Sequence, residues 1–297
     1  MTLDVLLGAA AGLLCATLFG LSNVVYKSQN HEIHPLAITS LKMWVSLPLM
    51  TTLVILPLLL GLELVPVTAI IPLTLSIIPG AIIGDMIYFY SQARIGVSRA
   101  FPIAMIVPLI TYFLSIVLLG DVLSVNRLFG MILVILGVSV ITREQAAQYG
   151  EATDQESLDK LGVVFALVAA AFWAVASIFA QIALVGVDPV NANFVRVLAG
   201  SITLVPVFTI AHKQGMPLPT GRATKLTLTA GFFGMGLGSL GYVFAVKFTG
   251  AAVSAALSST APLFAIPASA YFLKEKVTWR IIIGTLSTVA GIWLVII

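Results

Sequence analysis

The sequence predicts an all-α integral membrane protein, a helical bundle of ten transmembrane helices written as two inverted five-helix repeats. Three observations carry that reading. Hydrophobic residues make up 60% of the chain and charged residues 9%, against roughly 25% charged in a soluble domain. The apolar runs are about 20 residues long, enough at about 1.5 Å per residue to cross the roughly 30 Å hydrocarbon core, and none alternates like a barrel strand. One skeleton also occurs twice at a constant offset of 154 residues: Gly80, Gly84, Tyr88, Gly96, Pro108 and Leu109 return as Gly234, Gly238, Tyr242, Gly250, Pro262 and Leu263. The same register joins Gly8 with Gly162, Pro35 with Pro189, Lys42 with Arg196, Asp121 with Glu275, Gly130 with Gly284 and Gly137 with Gly291. Two copies of one unit, not two unrelated domains, account for the length.

The elements follow from breaks at charged or Pro/Gly-rich clusters. The first helix, roughly residues 3 to 26, has Asp4 at its start and no basic leader, and it exceeds the 7 to 15 residues of a signal-peptide apolar region, so a retained helix is expected. Further helices are expected at roughly 36 to 60, 68 to 92, 97 to 119 and 125 to 142. Residues 1–143 form the first repeat, a polar linker rich in Glu, Asp, Gln and Ser fills 144–160, and residues 161–297 form the second repeat. Its helices are expected at roughly 161 to 184, 190 to 211, 225 to 247, 251 to 273 and 278 to 297. Five helices per copy is an odd number. The second copy therefore enters the membrane from the opposite side, an arrangement typical of secondary transporters.

Charge sets an expected orientation. The odd-numbered connections hold eleven Lys and Arg; the termini and even-numbered connections hold two, Arg127 and Lys247. The positive-inside rule then puts the odd connections in the cytoplasm and both termini outside. The net charge of +3 comes from scattered groups and gives no nucleic-acid surface. The single cysteine, Cys15, excludes an intramolecular disulfide.

These features resemble the drug/metabolite transporter superfamily, in particular the EamA-type proteins of two five-helix repeats. The residues that carry the resemblance are Phe19-Gly20 and Trp173-Ala174 in the first helix of each copy, Pro108-Leu109 and Pro262-Leu263 in the fourth, the acids Asp121 and Glu275 that close it, and the Gly130/Gly137 and Gly284/Gly291 pairs of the fifth. The resemblance covers essentially the whole chain. It implies a central cavity lined by helices 1, 3, 4, 6, 8 and 9, a prokaryotic cell (inner) membrane location, and export of amino acids or metabolites or exchange of phosphorylated or sugar-linked solutes. It also implies cytoplasmic termini, the reverse of the charge count.

Charged residues deep in a membrane cost about 2.5 to 3.5 kcal/mol each and need a reason. Lys42 and Asp85 lie at similar depth, in helices 2 and 3. They form a structural salt bridge, or Asp85 is a proton or cation site with Lys42 as its counter-charge, or both reach the interface by snorkelling. Arg196 is the second-copy counterpart of Lys42, and Ser239 replaces Asp85, which leaves a cation in each half and an acid in one. That asymmetry suits an anionic or zwitterionic solute; the bland alternative is that both cations snorkel. Arg99 stands where the second copy has Val253 and marks a further difference.

Tyr88 and Tyr242 offer cavity hydroxyls or interfacial anchors. Asn23 and Ser177 are equivalent polar positions that need partners if buried. Ser258, Ser259 and Thr260 precede Pro262, where a broken helix would expose backbone groups or simply kink for packing. Gly236, Gly238 and Gly241 spell GxGxxG, but inside an apolar helix they make no dinucleotide site. Gly80 with Gly84, and Gly234 with Gly238, are small-residue pairs that let helices approach closely. No phosphate-loop lysine motif and no metal-ligand spacing occur, and His31, His34 and His212 lie in connections. No cofactor, no metal and no catalysis are expected. Partners are the lipid bilayer, a solute, and protons or a counter-solute, in a monomer or homodimer. A non-transporting membrane scaffold is the alternative of a different class.

Overall fold

The first half runs through α1 (Leu3–Gln29), α2 (Pro35–Leu59), α3 (Val67–Leu75), a π-helical segment π1 (Ile78–Gly84), α4 (Asp85–Ile95), α5 (Val97–Ala104), α6 (Val107–Leu119) and α7 (Val125–Gln148). The second runs through α8 (Lys160–Ala183), α9 (Pro189–Lys213), α10 (Gly221–Gly231), π2 (Phe232–Gly238), α11 (Ser239–Ser258), α12 (Ala261–Phe272) and α13 (Trp279–Ile296). The computed structural model describes residues 2–29, 32–61, 64–148, 159–219, 221–272 and 278–297. Most of the linker, His31, and Lys274, Glu275 and Lys276 lie outside the described residues. Among the described residues, nine helical stretches are long and apolar enough to cross a membrane.

The irregularities repeat with the same offset as the sequence. Span 3 is α3, π1 and α4; span 8 is α10, π2 and the start of α11. The two π segments begin at Ile78 and Phe232, 154 residues apart. Only the first contains a proline, Pro79, so proline alone does not cause the widening. What both share is the glycine pair that ends in Gly84 and Gly238. Spans 4 and 9 are likewise each interrupted, after Ala104 and after Ser258.

The corners between these spans are a single residue. α4 ends at Ile95 and α5 starts at Val97, with Gly96 between them at φ 72°; Gly250 makes the equivalent corner at φ 82°. A residue with a Cβ is strained in that region, so glycine is required. The sequence predicts longer connections, at 93 to 96 and 248 to 250. The chain turns more tightly because one left-handed residue suffices to reverse it.

The packing defines the symmetry. Gly130 on α7 meets Gly291 on α13, and Gly284 on α13 meets Gly137 on α7; a Cβ added at Gly291 would lie 2.6 Å from the Gly130 carbonyl oxygen. As one residue number rises along α7, its partner falls along α13, so the helices are antiparallel. Gly130 and Gly284, like Gly137 and Gly291, are repeat equivalents. The contact is therefore self-complementary about a two-fold axis perpendicular to the helices, which for membrane-crossing helices lies in the membrane plane. Other contacts obey the same operation. Gly80 packs on Ala176 and Gly84 on Trp173; in the other half Gly234 packs on Ser22 and Gly238 on Phe19.

Candidate functional site

Where the two halves meet, α8 runs beside π1 and α4, and α9 beside α2. Local sequence fixes these elements. Pro189 starts α9 with its preset φ, and the Asp188 carboxylate caps it by accepting from the Val190 and Asn191 amides at 2.9 and 3.1 Å. Asn193 and Arg196 then sit three residues apart on one face of α9. Asp85 is the first residue of α4, directly after the π segment. Gly84 leaves room there for the Trp173 indole, which an added Cβ would meet at 3.0 Å.

Lys42 and Asp85 come together: the Lys42 ammonium donates to Asp85 Oδ2. The other carboxylate oxygen accepts from Trp173 Nε1 of the second repeat at 2.9 Å. Lys42 is 8% exposed, which leaves little room for snorkelling. Tyr88 lies one turn beyond Asp85 and sets its ring 5.1 Å from Trp173. Among the described residues the buried hydroxyls of Tyr26 and Thr39 are unpartnered, and Thr39 lies one turn before Lys42 on α2.

Arg196 is 5% exposed and does not snorkel. Its Nε donates to Ser76 Oγ at 2.8 Å, Nη2 to the Ser76 carbonyl at 3.5 Å, and Nη1 to Asn193 Oδ1 at 3.2 Å. Its guanidinium carbon lies 5.9 Å from the centre of the Tyr242 ring. Ser239 Oγ donates to the same Asn193 oxygen at 2.8 Å, and the Asn193 amide nitrogen donates to Met50 Sδ at 3.1 Å. Tyr242 donates its hydroxyl to Ser177 Oγ at 2.6 Å, and Ser177 donates to the Trp173 carbonyl at 2.8 Å. Trp173 and Ser177 are one turn apart on α8. A polar chain thus runs from Lys42 and Asp85 through Trp173, Ser177 and Tyr242 to Arg196, Asn193 and Ser239, and it crosses between the repeats at Trp173–Asp85, Arg196–Ser76 and Asn193–Met50.

Asn23 and Ser259 stand apart from this chain. Asn23 is exposed, so its amide is not the buried group that would demand a partner. Ser259 donates to the Ala255 carbonyl of its own helix at 2.8 Å, and Thr260 to that of Leu257 at 2.6 Å, so the interruption before α12 is bridged by local bonds. Arg99 lies partly buried in the first turn of α5. Trp173, Asn193 and Ser76 belong to this polar chain and are not among the candidates read from the sequence. A usable signal existed for Trp173, because its repeat equivalent is Phe19 and the indole N–H appears in the half that faces the extra acid. Trp173→Phe keeps the ring and removes that donor. The expected cost is about 1.5–3 kcal/mol, that of a hydrogen bond to a charged group, read as a lower melting stability of the purified protein.

At the surface, Arg94 and Asp159 pair at 2.8 Å, and Asp159 caps α8 through the Leu161 amide at 2.9 Å. The Arg94 hydrogen bond, helped by the amides, holds the Asp159 carboxyl below its ordinary value of 3.8. A depressed folded-state value means the contribution is present above the unfolded value and fades as pH falls through the folded one. Asp159→Asn is thus expected to lower thermal stability at neutral pH, with the difference from wild type shrinking in melts below about pH 4.

Comparison with known proteins agrees with this architecture. A family model described as the EamA-like transporter family matches twice, over residues 6–143 and 160–297. An uncharacterized transporter of Archaeoglobus fulgidus is similar, 31% identical over 214 residues that cover 72% of this chain and 71% of the relative. A solved crystal structure of a protein superposes with a TM-score of 0.75 over 98% of this chain and 96% of the other. Its 19% identity makes that a likeness of fold.

Proposed function

We propose, from the premise that this chain belongs to the EamA-like transporter family and so is a membrane transporter of small solutes, that it is a secondary transporter. It exports a small organic solute, such as an amino acid or metabolite, by alternating access. The repeats at 1–143 and 161–297 are the units that rearrange, and the polar chain between them is the solute and coupling site. The observation that supports this most is that the interior bonds run from one repeat to the other. Trp173 of the second repeat holds Asp85 of the first, and Ser76 of the first holds Arg196 of the second. Relative movement of the halves must break those bonds, and a solute able to replace them biases the movement through its differential affinity. Protons or a counter-solute supply the energy. Eleven Lys and Arg at the odd connections favour extracytoplasmic termini in a prokaryotic cell membrane.

Reconstitution tests the reading. Proteoliposomes are expected to show saturable counterflow of at least one solute from a broad panel of amino acids and organic acids. A scaffold would give no saturable flux with any of them. A C-terminal reporter active only in the cytoplasm is expected to stay silent.

A further inference from the structure

We infer that Arg196 is an anion receptor, and that the solute carried is a net monoanion presenting a carboxylate to it; the second half of this rests on the transport reading above. Arg196 is 5% exposed, and its partners among the described residues are neutral: Ser76 twice, Asn193, and the face of Tyr242. A guanidinium stays charged in proteins and carries five N–H donors. Three bond to these partners, and two meet no acceptor among the described residues. Among the described residues the ion pairs are Lys42–Asp85, Arg94–Asp159 and Arg280–Glu144, and Arg196 is in none of them. Asp85 bonds to Lys42 through one oxygen and to the Trp173 indole through the other, and it makes no ion pair with Arg196 among the described residues.

Charge balance names the solute class. Lys42, Asp85 and Arg196 leave the interior chain at a net charge of +1. A buried charge without a counter-charge is costly, since neutral dipoles replace only part of its hydration. A zwitterion leaves the balance at +1 and a cation raises it. A phosphorylated solute, at about −1.5 to −2, overshoots. One carboxylate neutralises the site, and its planar oxygens match the guanidinium fork. The present partners can also let go. Asn193 Oδ1 already accepts from Ser239, and so is not stranded when a carboxylate displaces it from Nη1.

The test uses the full chain in detergent and then in vesicles. The probes are 2-oxo acids of increasing size, each with its zwitterionic amino acid and its neutral amide. The 2-oxo acids are expected to raise the melting midpoint of the wild type, with little shift from the amides or amino acids. Asn193→Asp places a fixed carboxylate beside Arg196. It is expected to melt higher than wild type without ligand and to bind 2-oxo acids about tenfold or more weakly; Arg196→Gln is expected to lose the response. The inference fails if no 2-oxo acid stabilises the wild type, if amides do so equally, or if Asn193→Asp binds unchanged. Binding lost in Asn193→Asp with no flux of any solute in vesicles would sustain the anion site and sink the transport reading. Saturable zwitterion flux that Asn193→Asp leaves unchanged would do the reverse.

Discussion

Asp85→Asn is expected to destabilise the folded protein by about 3–5 kcal/mol and to abolish saturable flux. The substitution removes the one charge that pairs with Lys42 among the described residues, and Lys42 is largely buried at 8% exposure. An amide can still accept from Trp173, so the loss comes from the stranded ammonium and not from the indole bond. The double variant Lys42→Met/Asp85→Asn separates the two effects. With no charge left to strand, it is expected to recover most of the melting stability, because neutral replacement of a buried pair costs little. Flux is not expected to return with it. If Asp85→Asn folds, transports and keeps the pH dependence of transport, Asp85 has no part in coupling.

Gly291→Leu is expected to have an effect of similar size on stability, about 3 kcal/mol or more. An added Cβ would meet the Gly130 carbonyl oxygen at 2.6 Å and the Val134 amide nitrogen at 2.7 Å. Both are backbone atoms, so no side chain can swing away and α7 must separate from α13. Gly130→Leu meets the Gly291 oxygen at 2.7 Å and should behave alike. The two lesions act on one seam, so their combination should cost less than their sum. Thermal unfolding of the single and double variants checks both points. Substitution at Gly120 or Gly186 gives a contrast, since nothing stands within 4 Å of an added Cβ there and only the left-handed φ is strained.

Much of the fold is legible in the sequence because the membrane restricts the options and glycine restricts the packing. The offset of 154 residues survives at positions where a Cβ would strike a neighbouring helix, such as Gly84 against Trp173 and Gly238 against Phe19. It survives also at Gly96 and Gly250, where the φ excludes other residues. The π segments were not legible. They depend on how a long helix accommodates its neighbours, and Phe232–Gly238 has no proline to announce the widening. Of the candidate site, Lys42 with Asp85 could be found from cost and depth alone, since a buried charge in a membrane implies a partner. Ser76 and Asn193 could not. Small polar residues are common in apolar helices, and their role appears only when α3 and α9 bring them to Arg196. Asn23 shows the converse, because equivalence to Ser177 by offset did not confer equal burial.

Alternating access requires the polar chain to open to each side of the membrane in turn. Ser239, 2% exposed and equivalent to Asp85 by repeat, is the position to probe. In a Cys15→Ala background, which removes the single native thiol, Ser239→Cys is to be challenged with a membrane-impermeant maleimide in right-side-out and in inside-out vesicles. Labelling from both faces, slow in each because each open state is populated part of the time, is the expected result. Labelling from one face alone, or from neither, would contradict alternating access at this site.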